Sequence, residues 1–218
     1  MKTIKKLLAA LMLASALCTD ARAADAPRGA GGGGKSGHIP GESQPCIGRR
    51  TPGIEILTPD TICIPDTGNA AYTTQWASMW QSVSDEGVST LRLIFEEGNC
   101  AACVGLATMP PAGGEATLAQ IAAEEKKVWN VYLLTGGRYI GNEQKECLEG
   151  WTAVTVGDIV TLTYTAATRR LEVTVQKPEA DPRTWLVAEN VHSTVMPLHF
   201  IITFLSPGSI VKFLSATV

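Results

Sequence analysis

The chain has 218 residues, of which 45% are hydrophobic and 18% charged, with a formal net charge of −3 at neutral pH. That mix suits a globular protein with a real core, and it lacks the basic footprint that nucleic acid or an anionic membrane surface would require. Aromatic residues make up only 6%, few for a glycan-stacking platform.

The N-terminus carries the clearest signal. Lys2, Lys5 and Lys6 precede the apolar run Leu7–Leu17, and Ala21-Arg22-Ala23 supplies the small-x-small pattern that signal peptidase cleaves. The run is too short for a membrane-spanning helix, which needs about 20 residues. Bulky Leu17 before Cys18 argues against lipid attachment. Residues 1–23 therefore read as a signal peptide, and the protein is expected to be secreted or periplasmic. Cleavage leaves 14 basic and 20 acidic residues, a formal charge of −6. Nothing later resembles a membrane span. Residues 24–53, rich in Gly, Pro and polar side chains, have little to bury and read as a disordered tail. Residues 54–218 have the size of one domain and contain no internal repeat.

Within that domain short apolar runs recur between turn residues. IEIL (54–57), TICI (61–64), VSTLRLIF (88–95), CAACVGLATM (100–109) and VWNVYLL (128–134) come first. VTVGDIVTLTYTAATRRLEVTVQ (154–176) then alternates apolar and polar residues on both sides of a polar reversal, the pattern of a half-buried hairpin entered through a turn at Gly157–Asp158. TWLVAENV (184–191), LHFIITFL (198–205) and SIVKFLSA (209–216) follow. So many short strands predict an all-β, two-sheet antiparallel sandwich. TLAQIAAEEKK (117–127) differs: Leu118, Ile121, Ala122 and Glu125 fall at helical spacing behind a Thr117…Gln120 capping box, which predicts one short inserted helix.

These runs resemble a known family. VGDIVTLTYTAATRRLEV is similar to the hairpin of SPRY (B30.2-like) domains, and LHFIITFLSPGSIVKFL looks like that family's closing strand pair around a Ser-Pro-Gly turn. Val104-Gly105-Leu106 resembles its Val-Gly-aliphatic signature, and Trp129 sits where the family commonly carries a Trp. The similarity spans roughly residues 70–218. It departs at Thr161, where the family usually has Gly, at Phe200, where it has Pro, and at QKPEADPRTW in place of an Asn-Gly turn. The resemblance implies a concanavalin-like sandwich that binds a protein or peptide through its loops.

Residues with chemistry to offer are few. Cys100-Ala-Ala-Cys103 opens a strand rather than a helix, so the two thiols point to opposite faces and the pair reads as structural, not redox. No second ligand pair exists for zinc, and His38, His192 and His199 have no metal spacing, so neither metal nor cofactor is expected. The mature chain keeps five cysteines, which in an oxidising compartment implies disulfides with one thiol left over. If strand 100–109 runs antiparallel to 128–134, the chain leaving Leu134 emerges near Cys100, so Cys147 is expected to pair with Cys100 or Cys103. Cys46 with Cys63 follows by elimination. Glu96-Glu97 and Glu124-Glu125 lack the alternate spacing of a strand-borne acid and nucleophile, and no Gly-x-Ser-x-Gly elbow occurs. The chain does not read as an enzyme. Trp76, Trp80, Trp129 and Trp151 read first as core aromatics.

Loops remain. TGGRYIGNEQKE (135–146), TAATRR (165–170) and KPEADPRT (177–184) are more decorated than tight turns require, and rigid scaffolds often carry function there. Arg138, Tyr139, Arg169, Arg170, Arg183 and Trp185 are residue types favoured at interface hot spots and form the candidate partner-binding set. The expectation is an exported, non-enzymatic module that binds a protein or peptide through loops at one end of the sandwich. A carbohydrate-binding lectin-type sandwich is the alternative, and a glycan-active enzyme the third reading. N-terminal sequencing of exported protein should begin at Ala24; an acylated Cys18 at the mature terminus would overturn the cleavage site.

Overall fold

The computed structural model describes residues 47–66, 75–79, 81–108, 128–140, 143–192 and 197–218. The predicted signal peptide, most of the predicted tail, Cys46, Trp80 and the predicted helix over 117–127 lie outside these residues. The described chain forms fourteen strands: β1 (Ile47–Arg50), β2 (Glu55–Thr58), β3 (Thr61–Ile64), β4 (Gln75–Met79), β5 (Val88–Glu97), β6 (Ala102–Thr108), β7 (Val128–Tyr132), β8 (Gly137–Ile140), β9 (Glu143–Cys147), β10 (Ile159–Thr165), β11 (Arg170–Gln176), β12 (Arg183–Ala188), β13 (Leu198–Phe204) and β14 (Ser209–Thr217). They make two antiparallel sheets of seven. Sheet one runs β1-β4-β13-β6-β7-β8-β9, and sheet two runs β12-β11-β10-β5-β14-β3-β2.

Alternation sets the packing of sheet two. In β10 and β11, Val160, Leu162, Tyr164, Leu171, Val173 and Val175 are buried while the residues between them remain partly exposed. The register pairs Leu162 with Val173 and with Leu91, so one apolar row runs across three strands on a single face. That face meets the inward residues of sheet one, Val104, Leu106, Phe200, Ile202 and Phe204, and one contiguous core results. Phe95, Phe200, Phe204 and Phe213 are its largest fully buried side chains. Full burial of such a side chain contributes about 1.5–3 kcal/mol.

Sheet one behaves differently. All seven residues of β6 are buried, as are four of the five in β4 and six of the seven in β13. These strands are therefore shielded on both faces.

Several sequence expectations change. Ile47–Arg50, inside the stretch read as tail, is a strand paired with β4. Its sequence IGRR has no alternation, and only its partner reveals it. The segment 135–146, read as a functional loop, supplies strand β8 and most of β9, paired with one another. β9 is Glu-Gln-Lys-Glu-Cys, exposed throughout, and such charged edge strands guard a sheet end without any apolar signature.

The predicted Gly-Asp turn has a clear structural reason. Gly157 holds a φ of 90°, which an L side chain rarely adopts. Asp158 is buried; its Oδ2 accepts hydrogen bonds from the Thr155 backbone N–H (2.9 Å), the Thr155 hydroxyl (3.1 Å) and Lys177 Nζ (2.7 Å). Lys177 also donates to the Ala153 carbonyl, 3.0 Å away. Because Asp158 precedes β10 and Lys177 follows β11, this clamp ties the entry of the hairpin to its exit. Replacing Asp158 with Ala removes all three hydrogen bonds and leaves the partly buried Lys177 ammonium without its carboxylate. The expected loss is about 2–3 kcal/mol of unfolding free energy, measured by denaturant titration.

Candidate functional site

Three turns meet at one end of sheet two. Ala166 N–H donates to Gly87 O (3.0 Å), Arg169 N–H to Ala166 O (3.2 Å) and Val191 N–H to Arg169 O (2.9 Å). The buried Tyr164 hydroxyl anchors the third turn by donating to Val191 O at 3.1 Å. Turns 85–87, 166–169 and 189–192 are thus fixed to one another by main-chain bonds. Each contains a left-handed residue: Gly87 (φ 81°), Arg169 (φ 53°) and Asn190 (φ 57°). Glycine adopts this conformation freely and asparagine tolerates it, but for arginine it costs about 1–2 kcal/mol.

The side chains at this end face solvent. Asp85, Glu86, Arg169, Arg170, Asn190 and His192 are exposed, and Val88 is an exposed apolar residue among them at 52%. Arg170 lies 3.4 Å from Glu189, an exposed ion pair worth little by itself. His192 Nδ1 sits 2.8 Å from Asn190 O. Burial pushes the Tyr164 hydroxyl above its ordinary pKa; nearby Arg169 opposes that shift and Asp85 adds to it. The end therefore presents two cations and three carboxylates, one of them paired with Arg170, beside an apolar contact and hydrogen-bonding groups on a rigid base.

The other predicted residues lie elsewhere. Arg138, on β8, donates from Nε to Glu146 O (3.0 Å) and from Nη1 to Val187 O (3.5 Å), bridging the two sheets where β8 faces β12. Trp185 is half-buried on β12: its ring centroid is 4.8 Å from that of Trp151, and its indole N–H donates to Glu149 O at 3.0 Å. Arg183 stacks over the Trp185 ring at 5.3 Å. This group plugs the open edge of the sandwich. Tyr139 points to the outer face of sheet one, where burial, and then Cys103, Tyr132 and Cys147, push its pKa up to about 12. The fold brings only Arg169 and Arg170 together at the loop end. Sequence reasoning passed over Val88, Asp85, Asn190 and His192, although Gly87 and Asn190 are turn formers that could have flagged them.

Cys100 and Cys103 are not activated thiols. Burial pushes the Cys103 thiol up to about 12. Burial, and then Asp158, push Cys100 up to about 11 against a smaller opposing effect of Lys177. Both are protonated and inert at neutral pH, the opposite of a redox pair. Cys63, Cys100, Cys103 and Cys147 are free. The expected Cys103–Cys147 bridge is corrected by register: Cys103 pairs with Tyr132, and Gly137 with Cys147, so the two thiols stand on the first and last of four adjacent strands. Three strand spacings are about 14 Å, twice the Cα separation a disulfide spans. Cys100 is buried in the inter-sheet core, whereas Cys147 is exposed on the edge strand β9. Among the described residues no three His, Cys, Asp or Glu side chains gather as a metal site, and no helix is long and apolar enough to cross a membrane.

Two antiparallel sheets of seven around one core, closed by the last strand, define a concanavalin-like β-sandwich. Comparison with solved structures supports that class. The SPRY domain of human HERC1 superposes with a TM-score of 0.51 at 17% identity, covering 74% of this chain and 92% of its own. The TRIM65 PSpry domain gives 0.50 at 12% identity, with 79% and 88% covered. The winged bean acidic lectin, solved with methyl-α-D-galactose, gives 0.53 at 10% identity, with 78% and 92% covered. No protein-family model matches the sequence, and no curated protein matches it. The chain therefore has the SPRY/concanavalin-like fold, shared by SPRY domains and legume lectins.

Replacing Arg169 with Gly removes the left-handed strain while keeping both main-chain hydrogen bonds. Its unfolding free energy should equal that of the wild type or exceed it by up to about 1 kcal/mol, measured by denaturant titration. A clear loss of stability would mean that the side chain, not the backbone, holds the turn.

Proposed function

We propose that this domain is an exported, non-enzymatic binding module that recognises a protein or peptide through the loop end carrying Arg169 and Arg170. One observation carries the reading. Arg169 occupies a left-handed position where glycine or asparagine would be less strained, its main chain is bonded on both sides, and its side chain is exposed. Strained, over-determined positions of this kind concentrate at ligand contacts. Arg170 beside it, exposed Val88 and the hydrogen-bonding groups of Asn190 and His192 complete a surface with the composition of a hot-spot cluster. The sandwich fold shared with SPRY domains is compatible with such use; Arg169 offers a partner's carboxylate a bidentate contact, while Asp85, Glu86 and Glu189 keep the surface mixed in charge.

Selection from a displayed random-peptide library, run beside a glycan array, tests this. The wild type should enrich acidic peptides. A double variant, Arg169→Gly with Arg170→Ala, should bind them at least about thirtyfold more weakly, since each hot-spot arginine contributes about 2 kcal/mol or more. Equal binding by the variant would place recognition elsewhere. Glycan capture without peptide capture would make the domain a lectin. Glycan cleavage abolished by a single Glu→Gln change would make it an enzyme.

A further inference from the structure

Three inward-facing pairs join β10 to β5: Val160 with Leu93, Leu162 with Leu91, and Tyr164 with Ser89. The first two are apolar, as the interior of a sandwich requires. The third, nearest the turns, is a pair of hydroxyl residues, and both are buried, Tyr164 at 6% exposure and Ser89 at 1%. Phenylalanine and alanine would fill this space without burying a polar group, which costs free energy unless it is hydrogen-bonded. Each hydroxyl instead holds a turn. Ser89 Oγ accepts the Ser84 backbone N–H at 2.9 Å, and Ser84 Oγ in turn accepts the Glu86 N–H at 3.1 Å. The Tyr164 hydroxyl donates to Val191 O at 3.1 Å, and the Val191 N–H donates to Arg169 O at 2.9 Å. Val191 is thus gripped at both of its main-chain groups, between the core and the strained Arg169.

We propose that Tyr164 and Ser89 are positioning residues for recognition at the loop end, holding two of its turns, and Arg169 through Val191, in the binding geometry. The inference rests on the reading of that end as the binding surface. Both residues are buried, so they act through the turns and not by touching a partner. A left-handed arginine persists only where its surroundings over-determine it. The Arg169 N–H is fixed to Ala166 O and its carbonyl to the Val191 N–H, so the second restraint is as firm as the hold on Val191. Removing the Tyr164 hydroxyl loosens that hold, and Arg169 can relax toward the ordinary right-handed region. Asn190 and His192 move with the same turn, and Asp85 and Glu86 with the turn that Ser89 holds. The binding arrangement then becomes one of several, and apparent affinity falls with the fraction of molecules that still adopt it. Such a loss appears as slower association with unchanged dissociation, whereas deleting a contact residue acts mainly on dissociation.

Two measurements on the whole chain test this: amide hydrogen exchange without peptide, and association and dissociation rates for the peptide most enriched by the wild type. Tyr164→Phe should speed exchange of the Val191 N–H about fivefold to tenfold, and Ser89→Ala that of the Ser84 N–H, with the Leu162 and Val173 amides unchanged. Each variant should slow association about threefold to tenfold and leave dissociation unchanged. Leu162→Val, one row deeper, loosens the same hairpin without touching a turn and should leave both rates as in the wild type. Exchange at wild-type rates in both variants overturns the proposal, as does faster exchange with association unchanged. It also falls if Leu162→Val slows association equally, or if the loss lies in dissociation. Should Tyr164→Phe free the Leu162 and Val173 amides too, Ser89→Ala decides by the same criteria. A wild type that captures no peptide removes the loop-end reading and this inference with it. That outcome stays distinct, because the exchange rates report without peptide whether the hydroxyls hold the turns.

Discussion

The structure depends on β14. This last strand lies between β5 and β3, so the second sheet is continuous only once the far end of the chain has returned. Its inward residues Val211, Phe213 and Ala216 are buried in the inter-sheet core, and its register with β5 shifts twice, which bends the sheet over that core. Without β14, the β2–β3 pair has no tie to the rest of the sheet. Pairing of this kind joins residues more than a hundred positions apart, as Ala216 with Leu91 shows. Folding therefore closes long loops before the apolar layer is complete.

The two sheets have different roles. Sheet two is half-buried, with a polar outer face where Thr174 and Thr184 share a hydrogen bond of 2.8 Å. Sheet one is buried on both faces along β4, β6 and β13. Its outer face keeps two sealed polar atoms, Asn130 Oδ1 and Thr203 Oγ1, without a hydrogen-bond partner among the described residues. Such orphans cost about 1–3 kcal/mol each, so the apolar contacts around them must be extensive. Gly105 lies between them in the sheet, where an added Cβ would come within 2.0 Å of the Trp129 carbonyl oxygen. The Val-Gly-aliphatic stretch noted in the sequence is therefore a requirement of strand approach.

Charge is used sparingly and locally. Lys177 and Asp158 hold the hairpin base, whereas Arg138 joins the sheets through carbonyl oxygens rather than through an acidic partner. Arg183 is spent on the Trp185 ring at the edge. Arg169 is the arginine of the candidate set whose position is backbone-strained, and this separates it from residues of the same type that only hold the fold together.

Sequence alone determined what depends on local periodicity. The hairpin 159–176, the strands around Leu91, Phe200 and Phe213, and the turn at Gly157–Asp158 were legible because alternation and turn chemistry act within a few residues. The two-sheet class followed from their number and spacing. Strands β1, β8 and β9 were not legible, since an edge strand gains its identity from the neighbour it pairs with rather than from an apolar face. Cys147 was misplaced for the same reason: its distance from Cys103 depends on how many strands intervene, and strand order is a long-range property. Only tertiary structure separated Arg169 and Arg170 from Arg138, Arg183 and Trp185. Residue type marks a potential anchor, but whether its hydrogen bonds are free for a partner depends on which elements the fold sets beside it.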